Sequence, residues 1–296
     1  MEKFRKQNNH FVLGGKTREY LEKKTGRRIR PLAQPVDSIH AMDLWCEQEL
    51  SAFDAVQGRL LPEVCFVQAH RDCVSVLEIK EDVWSLGEYF GGDIERLIDA
   101  FFTARKKFAP NTQLRLQAGL SRHCDVKDLQ QRLEPFWGRK EFYSLDLYGD
   151  EAAQPAEKFA PIYRRAKQEG LRLKTHLGEF GTAEDIRRGV EILELDEVLH
   201  GIAAASEERV IQFLRDRHIR LHLTPTSNRM LGRVGRLTQH PIATFLRSGV
   251  EVTINSDDVL IFDSNVSKEY LRLYQAGVLT AKELDGIRLA GLRQVP

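Results

Sequence analysis

The sequence contains a histidine and a glutamate three positions apart, His176 and Glu179, and this pair is the first candidate for a catalytic or metal-binding role. A neutral imidazole binds metal ions, and a carboxyl group in a water-poor pocket transfers protons near neutral pH. Between them, Gly178 lets the backbone come close to a ligand. We therefore predict a metal ligand at His176 and a proton-transfer group at Glu179. From these residues alone, a hydrogen-bonded histidine beside a surface glutamate is the alternative.

Two later segments carry groups of the same kind. Asp257 and Asp258 follow an apolar run, and adjacent carboxylates repel each other unless a cation holds one of them ionised. We predict that Asp257 binds a metal and that Asp258 hydrogen-bonds a substrate, with a helix cap as the alternative role. His200, before Gly201, is predicted to orient or deprotonate a water molecule, with a buried structural histidine as its alternative.

Two further candidates rest on weaker patterns. His10 precedes the pair Gly14 and Gly15 and is a candidate metal ligand. Gly149 offers a backbone N–H that no side chain obstructs, which suits a ring nitrogen of a planar ligand. An ordinary strand-to-helix turn is the alternative for Gly149.

These residues must be brought together by the elements that carry them. From residue 74 onward a short β-like run is followed by an amphipathic helical pattern seven times. The strands are predicted at residues 74–80, 113–119, 142–147, 171–176, 197–200, 220–224 and 250–255. Helices are predicted at 94–107, 126–133, 156–169, 183–193, 207–217, 240–247 and 268–276, with a further one at 281–292. An eighth strand, around residues 10–13, precedes a helical region at about 37–70.

Eight strand-and-helix units predict an α/β fold, a closed parallel (β/α)8 barrel of the TIM type. An open doubly wound sheet is the alternative, but its Gly-x-Gly-x-x-Gly turn after the first strand is missing from this sequence. In such barrels the catalytic groups lie at the C-terminal ends of the strands. The candidate residues fall at those ends, so fold and chemistry agree.

The composition limits the class of partner. The chain has 296 residues, with 44 lysines and arginines against 43 aspartates and glutamates. A net charge of +1 gives no electrostatic reason to expect nucleic acid or an acidic membrane as partner. The four cysteines are scattered, the N-terminus has no apolar signal segment, and no run of 18 apolar residues occurs. We predict a reduced, cytoplasmic protein that forms one barrel domain over residues 1–296.

Five segments, taken in order, resemble motifs of the adenosine/AMP deaminase family of the amidohydrolase superfamily. They are Ser144-Leu-Asp-Leu-Tyr-Gly-Asp-Glu151, Lys174-Thr-His-Leu-Gly-Glu179, Val198-Leu-His-Gly201, Leu223-Thr-Pro-Thr-Ser-Asn228 and Val252-Thr-Ile-Asn-Ser-Asp-Asp258. They are similar to that family's Asp-Leu-x-Gly-x-Glu, His-Ala-Gly-Glu, Gly-His-Gly, Cys-Pro-x-Ser-Asn and Thr-Ile-Asn-Thr-Asp-Asp. One such motif is weak, but five in order with similar spacing are specific. The resemblance spans nearly the whole chain.

The resemblance implies an amidohydrolase-like barrel that hydrolytically deaminates adenosine or a related 6-aminopurine and releases ammonia. Its substrate is then a small aminopurine or nucleoside. It also implies one bound metal, zinc or another divalent ion, held by three residues: His10, His176 and Asp257. Glu179 is the implied proton donor to a purine ring nitrogen, and His200 holds the attacking hydroxide. Asp258 and the N–H of Gly149 bind the base.

The chain departs from the family at its first motif, His-x-His-Leu-Asp-Gly. Val12 stands where a second metal-binding histidine is expected, and Gly14 where an aspartate contacts a sugar hydroxyl. Three protein ligands and a water still make a workable catalytic zinc site. The alternative is a catalytically impaired barrel that binds a purine or a partner protein. Hydrolysis of a cyclic amide or ester is a third interpretation, which leaves Gly149 without a use.

The C-terminal region departs as well. Members of the family usually carry a further helix after the one predicted here at 281–292. Another subunit is expected to complete the outer helical layer in its place, which predicts a homo-oligomer.

Overall fold

The strands of the computed structural model form a barrel; the structure describes residues 6–8, 16–50 and 60–293. One parallel sheet holds the eight strands in sequence order. They are β1 (Lys6–Asn8), β2 (Val74–Asp82), β3 (Gln113–Ser121), β4 (Phe142–Tyr148), β5 (Arg172–Leu177), β6 (Glu197–His200), β7 (Arg220–Leu223) and β8 (Val252–Ile254). Cα atoms of β1 also lie within 8 Å of those of β8. The first and last strands therefore meet, which confirms the (β/α)8 prediction. The open doubly wound alternative is wrong, because that fold reverses its strand order.

Helices follow the strands and cover the outside of the sheet. The described α-helices are α1 (Lys16–Thr25), α2 (Ile39–Leu50), α3 (Leu61–Arg71), α4 (Ser85–Phe90), α5 (Ile94–Phe108), α6 (Val126–Leu133), α7 (Ala160–Gln168), α8 (Ala183–Leu193), α9 (Glu208–Asp216), α10 (Pro225–Met230), α11 (Ile242–Arg247), α12 (Val259–Phe262), α13 (Val266–Gln275) and α14 (Ala281–Leu292). Within the described ranges, none is long and apolar enough to cross a membrane.

Local sequence explains where these helices begin and which face they bury. Helix α8 starts at a capping box, in which the Thr182 hydroxyl accepts the Asp185 N–H and the Asp185 carboxylate accepts the Thr182 N–H. Its buried residues Ile186, Val190 and Leu193 recur at helical spacing. This stripe packs into the largest apolar cluster of the described residues, which lies between the sheet and the helices. The cluster fixes the helix, and with it the loop that precedes it.

The predicted elements agree closely with the described ones. The helices at 126–133, 183–193 and 281–292 are confirmed with the same bounds. The predicted helix at 156–169 divides into a 3-10 turn (Ala156–Phe159) and α7, because Pro161 in the first turn of α7 lacks the N–H that a continuous helix needs. The predicted region at 37–70 contains α2 and most of α3, and the strand expected around residues 10–13 lies outside the described residues.

The inside of the barrel holds a layer of paired charges. The ammonium of Lys174, on β5, lies 2.5 Å from Glu78 Oε2 and 2.7 Å from Glu197 Oε2. Arg115 Nη1 lies 2.8 Å from the other oxygen of Glu78, and His222 Nε2 hydrogen-bonds Glu197. All five residues are buried. Charges are tolerated at such depth only when they are paired. The pairs join β2, β3, β5, β6 and β7 inside the barrel.

Candidate active site

The predicted site residues meet in one cavity at the C-terminal ends of the strands. His176 is the second-last residue of β5, His200 is the last residue of β6, and Asp257 follows β8 by three positions. The cavity has a volume of about 540 Å³, and its lining includes six predicted residues: Gly149, His176, Glu179, His200, Asp257 and Asp258. The structure thus brings together every predicted site residue that it describes. His10, Val12 and Gly14 lie outside the described residues.

Three of these side chains are close enough to share one cation. One ligand atom from each of Glu179, His200 and Asp257 lies within 4.8 Å of the other two. The ring of His176 is adjacent, with its centroid 5.1 Å from that of His200. Imidazole nitrogens and carboxylate oxygens are zinc ligands. The sequence-based division into metal ligands and proton-transfer groups therefore corresponds to one continuous cluster in the structure.

The backbone at this cluster is strained. His200 has a φ of 65° and Asp257 a φ of 55°, in the left-handed region, which costs a non-glycine residue about 1–2 kcal/mol. Such conformations persist where the surroundings enforce them, and they concentrate at functional sites. Here the Asp258 N–H donates to Asp257 Oδ1 at 2.9 Å. The left-handed backbone at His200 and Asp257 changes the direction of the chain at the mouth of the barrel.

A buried carboxylate orients His176. Asp146 Oδ1 lies 3.1 Å from His176 Nδ1, and its Oδ2 lies 3.3 Å from the ammonium of Lys80. Burial alone would raise the pKa of Asp146, but His176 and Lys80 outweigh it and hold the pKa well below its usual range. The ionised carboxylate accepts the Nδ1–H of His176, which leaves the ring lone pair on Nε2. Asp146 and Lys80 had no role predicted from sequence, although Asp146 lies in one of the five motif segments.

A chain of hydrogen bonds sets the tautomer of His200. The Ile242 N–H donates to His240 Nδ1 at 3.2 Å, so His240 Nε2 carries the hydrogen and donates to Asn228 Oδ1 at 3.1 Å. The Asn228 amide then donates to His200 Nδ1 at 3.2 Å. His200 consequently carries its hydrogen on Nε2. The structure places His240 behind Asn228, on the side away from His200.

The protonation states suit acid catalysis. Burial, followed by the negative charges of Asp257 and Glu151, raises the pKa of Glu179 well above its usual value. Burial, followed by the charge of His176, lowers the pKa of His200 well below its usual value. Burial therefore favours the protonated form of Glu179, which lies beside a neutral imidazole at His200. This is the pairing expected of a proton donor and a water-orienting group.

Gly149 sits at the cavity wall in a conformation that favours glycine. Its φ is +100°, and a Cβ built on it would lie 3.1 Å from Cδ2 of His123. A side chain here would be strained and crowded. Gly149 therefore lines the cavity in a conformation that suits glycine, and the contact of its N–H with a ring nitrogen stays a prediction.

The end of β2 adds acidic groups that the sequence analysis missed. Glu81 and Asp82 both line the cavity. Glu81 accepts a hydrogen bond from the Ser85 hydroxyl, and Asp82 accepts one from the Tyr148 hydroxyl. Burial raises the pKa of Glu81 from 4.5 to about 7. The hydrogen bond from Ser85 opposes this shift, and the charge of Asp82 adds to it. Glu81 is therefore half-protonated near neutral pH.

This shift predicts a pH-dependent stability that Glu81→Gln removes. Because the folded state holds the Glu81 proton more tightly than the unfolded state, stability present below pH 4.5 is lost as the pH rises through about 7. The loss amounts to about 3 kcal/mol at 1.36 kcal/mol per pKa unit. Between pH 5 and pH 8 the free energy of unfolding of the glutamine variant should rise by about 3 kcal/mol relative to that of wild type. Urea unfolding measures both values. The exposed Glu88→Gln is the control, and equal pH dependence in both variants would contradict the assignment.

Comparison with known proteins identifies several relatives by sequence. The sequence model of a family described as "Adenosine deaminase" matches residues 57–295. A Treponema pallidum (strain Nichols) protein named "Putative adenosine/adenine deaminase" is 34% identical over 216 residues, which cover 73% of this chain and 72% of that protein. Among the first curated relatives, the alignments span 60–72% of the relatives' own length.

Solved structures share the fold at lower identity. An adenine deaminase from Arthrobacter aurescens superposes with a TM-score of 0.80 at 21% identity, over 98% of this chain and 92% of that one. An amidohydrolase from Burkholderia ambifaria, solved with bound zinc, superposes with a TM-score of 0.78 at 20% identity, over 97% of this chain and 83% of that one. At these identities the likeness shows a shared barrel fold.

Proposed function

The chain belongs to the adenosine deaminase family, and from this premise we propose that it hydrolytically deaminates adenosine or a related 6-aminopurine with release of ammonia. One observation carries the proposal: the Glu179 carboxyl, whose pKa is raised chiefly by burial, lies with His200 and Asp257 in a single cavity at the strand ends. The relatives are adenosine and adenine deaminases, so the alternative of a catalytically impaired barrel has no support from them.

The donor atoms present fit a divalent metal. The Asp257 carboxylate belongs to a cluster whose ligand atoms lie within 4.8 Å of one another. The His176 ring is adjacent, 5.1 Å from that of His200 between centroids, and its Nδ1 is held by a carboxylate, as in most metal-binding histidines. The proposed ligands are His176 and Asp257 together with His10, and zinc is the first candidate. A bound divalent metal supplies a nucleophile at neutral pH, because it lowers the pKa of water from about 15.7 to about 7.

The residues of the chain supply the proton transfers. When the water oxygen adds to C6 of the purine, an electron pair moves onto the ring nitrogen N1, and protonated Glu179 donates its proton there. As a carboxylate, Glu179 then accepts the first of the two protons of the added water and passes it to the amino nitrogen, and it accepts the second as the C6 carbonyl forms, which restores its protonated state. The C6–N bond breaks, ammonia leaves, and a 6-oxopurine remains. His200, with hydrogen on Nε2, orients the attacking water by donating a hydrogen bond to its oxygen.

Two groups are proposed to hold the base. Asp258 and Gly149 both line the cavity. The carboxylate of Asp258 accepts a hydrogen bond from a protonated ring nitrogen, and the Gly149 N–H donates one to an unprotonated ring nitrogen. Free adenine offers one nitrogen of each kind once N1 is engaged by Glu179. In a nucleoside N3 and N7 both lack a hydrogen, so the contact there requires Asp258 in its protonated, donating form. The two contacts thus orient the ring with C6 toward the metal cluster.

The charge of the cavity predicts a preference for nucleosides over nucleotides. Its described lining includes six carboxyl groups, those of Glu81, Asp82, Glu88, Glu179, Asp257 and Asp258, and one ammonium, that of Lys80. The Lys80 charge is already paired with Asp146. A phosphate would meet net repulsion, which costs several kcal/mol when charges are brought together at an interface. We expect kcat/KM for adenosine to exceed that for AMP by at least about tenfold, measured by ammonia release. Equal values would contradict this account of the cavity.

The function is tested on protein purified without chelator. We expect about one equivalent of a divalent metal and ammonia release from adenosine, adenine or an N6-modified analogue. Prolonged dialysis against a chelator should abolish the release, and readdition of zinc should restore it. The absence of both metal and deamination across these substrates would overturn the proposal. A cytoplasmic location, one domain over residues 1–296 and a homo-oligomer remain predictions; light scattering at micromolar concentration tests the last.

A further inference from the structure

One carboxylate organises the loop that carries Glu179. Glu151, in the connection after β4, accepts hydrogen bonds from four successive backbone N–H groups. The donors and their distances are Gly178 (2.6 Å), Glu179 (2.9 Å), Phe180 (2.8 Å) and Gly181 (3.2 Å). Successive N–H groups that converge in this way form a nest, a concavity that binds anions. The side chain of Glu151 fills it.

The loop is closely fitted to this carboxylate. Gly178 has a φ of +65°, and a Cβ built there would lie 2.3 Å from Cδ1 of Ile186. A Cβ on Gly181 would lie 2.6 Å from Oε2 of Glu151 itself. The residues on either side of Glu179 and Phe180 therefore have to be glycine for the loop to wrap around the carboxylate.

Arg122 ties the same loop to its neighbours. Its Nη1 donates to the carbonyls of Glu151 (3.3 Å) and Gln154 (3.2 Å), and its Nη2 donates to the carbonyl of His176 (3.4 Å). The amide of Gln154 in turn donates to the carbonyls of Arg122 and Cys124, both at 2.7 Å. The connections after β3, β4 and β5 are thus held as one unit, with Glu151 as its contact to the Glu179 loop.

We propose that Glu151 is a positioning residue for proton transfer, which acts by fixing the loop 178–181 so that the Glu179 carboxyl lies against His200 and Asp257. The inference rests on the proposed function, since it gives Glu179 a proton to transfer. Glu151 itself does not line the substrate cavity, so it acts through the backbone. A misplacement of about 1 Å in a catalytic group can cost about 100-fold in rate, and a loop without its central acceptor has room for such a shift.

The test compares Glu151→Gln with Glu157→Gln as matched control. Glu157 lies six residues further along the same connection, is exposed and pairs with Arg188. A glutamine at 151 presents one NH2 to a nest of N–H donors, so part of the loop loses its acceptor. We expect kcat for adenosine to fall about 10–100-fold with KM within about threefold, and metal content to be unchanged. Amide hydrogen exchange at residues 178–181 should become faster, while the control matches wild type in each measurement.

Hydrogen exchange separates this inference from the proposed function, because it needs no activity. Should wild type fail to deaminate any aminopurine, the proposed function fails, and exchange at residues 178–181 alone decides whether Glu151 holds the loop. Unchanged exchange, or a kcat equal to that of Glu157→Gln, would overturn the positioning role. If Glu151→Gln does not fold, Glu151→Asp, which keeps the charge and is one carbon shorter, is measured in the same way. Unchanged exchange or a kcat equal to that of the control would overturn the positioning role for this variant too.

Discussion

Replacing Glu179 with glutamine is expected to lower kcat for adenosine by about 10²–10⁴-fold, the usual contribution of a positioned acid or base. Glutamine has the same shape but no transferable carboxyl proton. The variant should keep the fold, because Glu179 has only 9% of its side chain exposed and lies against Asn228, whose amide can hydrogen-bond the glutamine oxygen. Steady-state ammonia release gives kcat, and circular dichroism with metal analysis shows whether fold and metal are retained.

The matched control is Glu208→Gln, an exposed glutamate in the first turn of α9. It makes the same carboxyl-to-amide replacement without touching the cavity, so kcat should equal that of wild type. A Glu179→Gln variant with wild-type kcat and normal metal content would remove Glu179 from the mechanism. Loss of metal together with activity would instead make it a ligand, consistent with its place in the cluster with His200 and Asp257.

The location of these residues was predictable because barrel geometry turns sequence position into spatial position. His176 and His200 each follow an apolar run, and Asp257 follows another. Once the runs are recognised as parallel strands of one barrel, their C-terminal ends must face the same side. The structure adds what sequence order does not contain: the left-handed backbone at His200 and Asp257. That backbone turns the two groups toward Glu179 and merges metal-binding and proton-transfer residues into one cluster.

The residues that support the site were not predictable in the same way. Lys80 and Asp146 are 66 positions apart, and Glu78 and Lys174 are 96 apart. Each lies in a strand that mixes charged and apolar residues, where a charged side chain can face either solvent or the barrel interior. Only the register between strands decides which. Glu151 was overlooked for a related reason, because its four partners are backbone N–H groups and leave no signature in side-chain types.

The charged layer inside the barrel makes Lys174→Met the substitution with the largest expected effect on stability. The methionine fills a similar volume but leaves Glu78 and Glu197 without their shared ammonium, which now lies 2.5 Å and 2.7 Å from them. Removing one partner of a buried ion pair costs about 3–5 kcal/mol. We expect a loss of about 3 kcal/mol, the lower part of that range, because Arg115 still pairs with Glu78 and His222 with Glu197. Urea unfolding at pH 7 measures it.

The control for this loss is Lys167→Met, which breaks a pair with Glu194 at the surface, where both side chains are more than half exposed. Exposed pairs contribute about 0–1 kcal/mol, so the difference between the two variants isolates the effect of burial. A loss of less than about 1 kcal/mol in both would show that the layer rearranges freely around the missing charge. In that event the strand ends would not depend on the layer, and Lys174→Met would keep the kcat of wild type. A large loss confined to Lys174→Met makes the ion pairs part of what holds His176 and His200 in register.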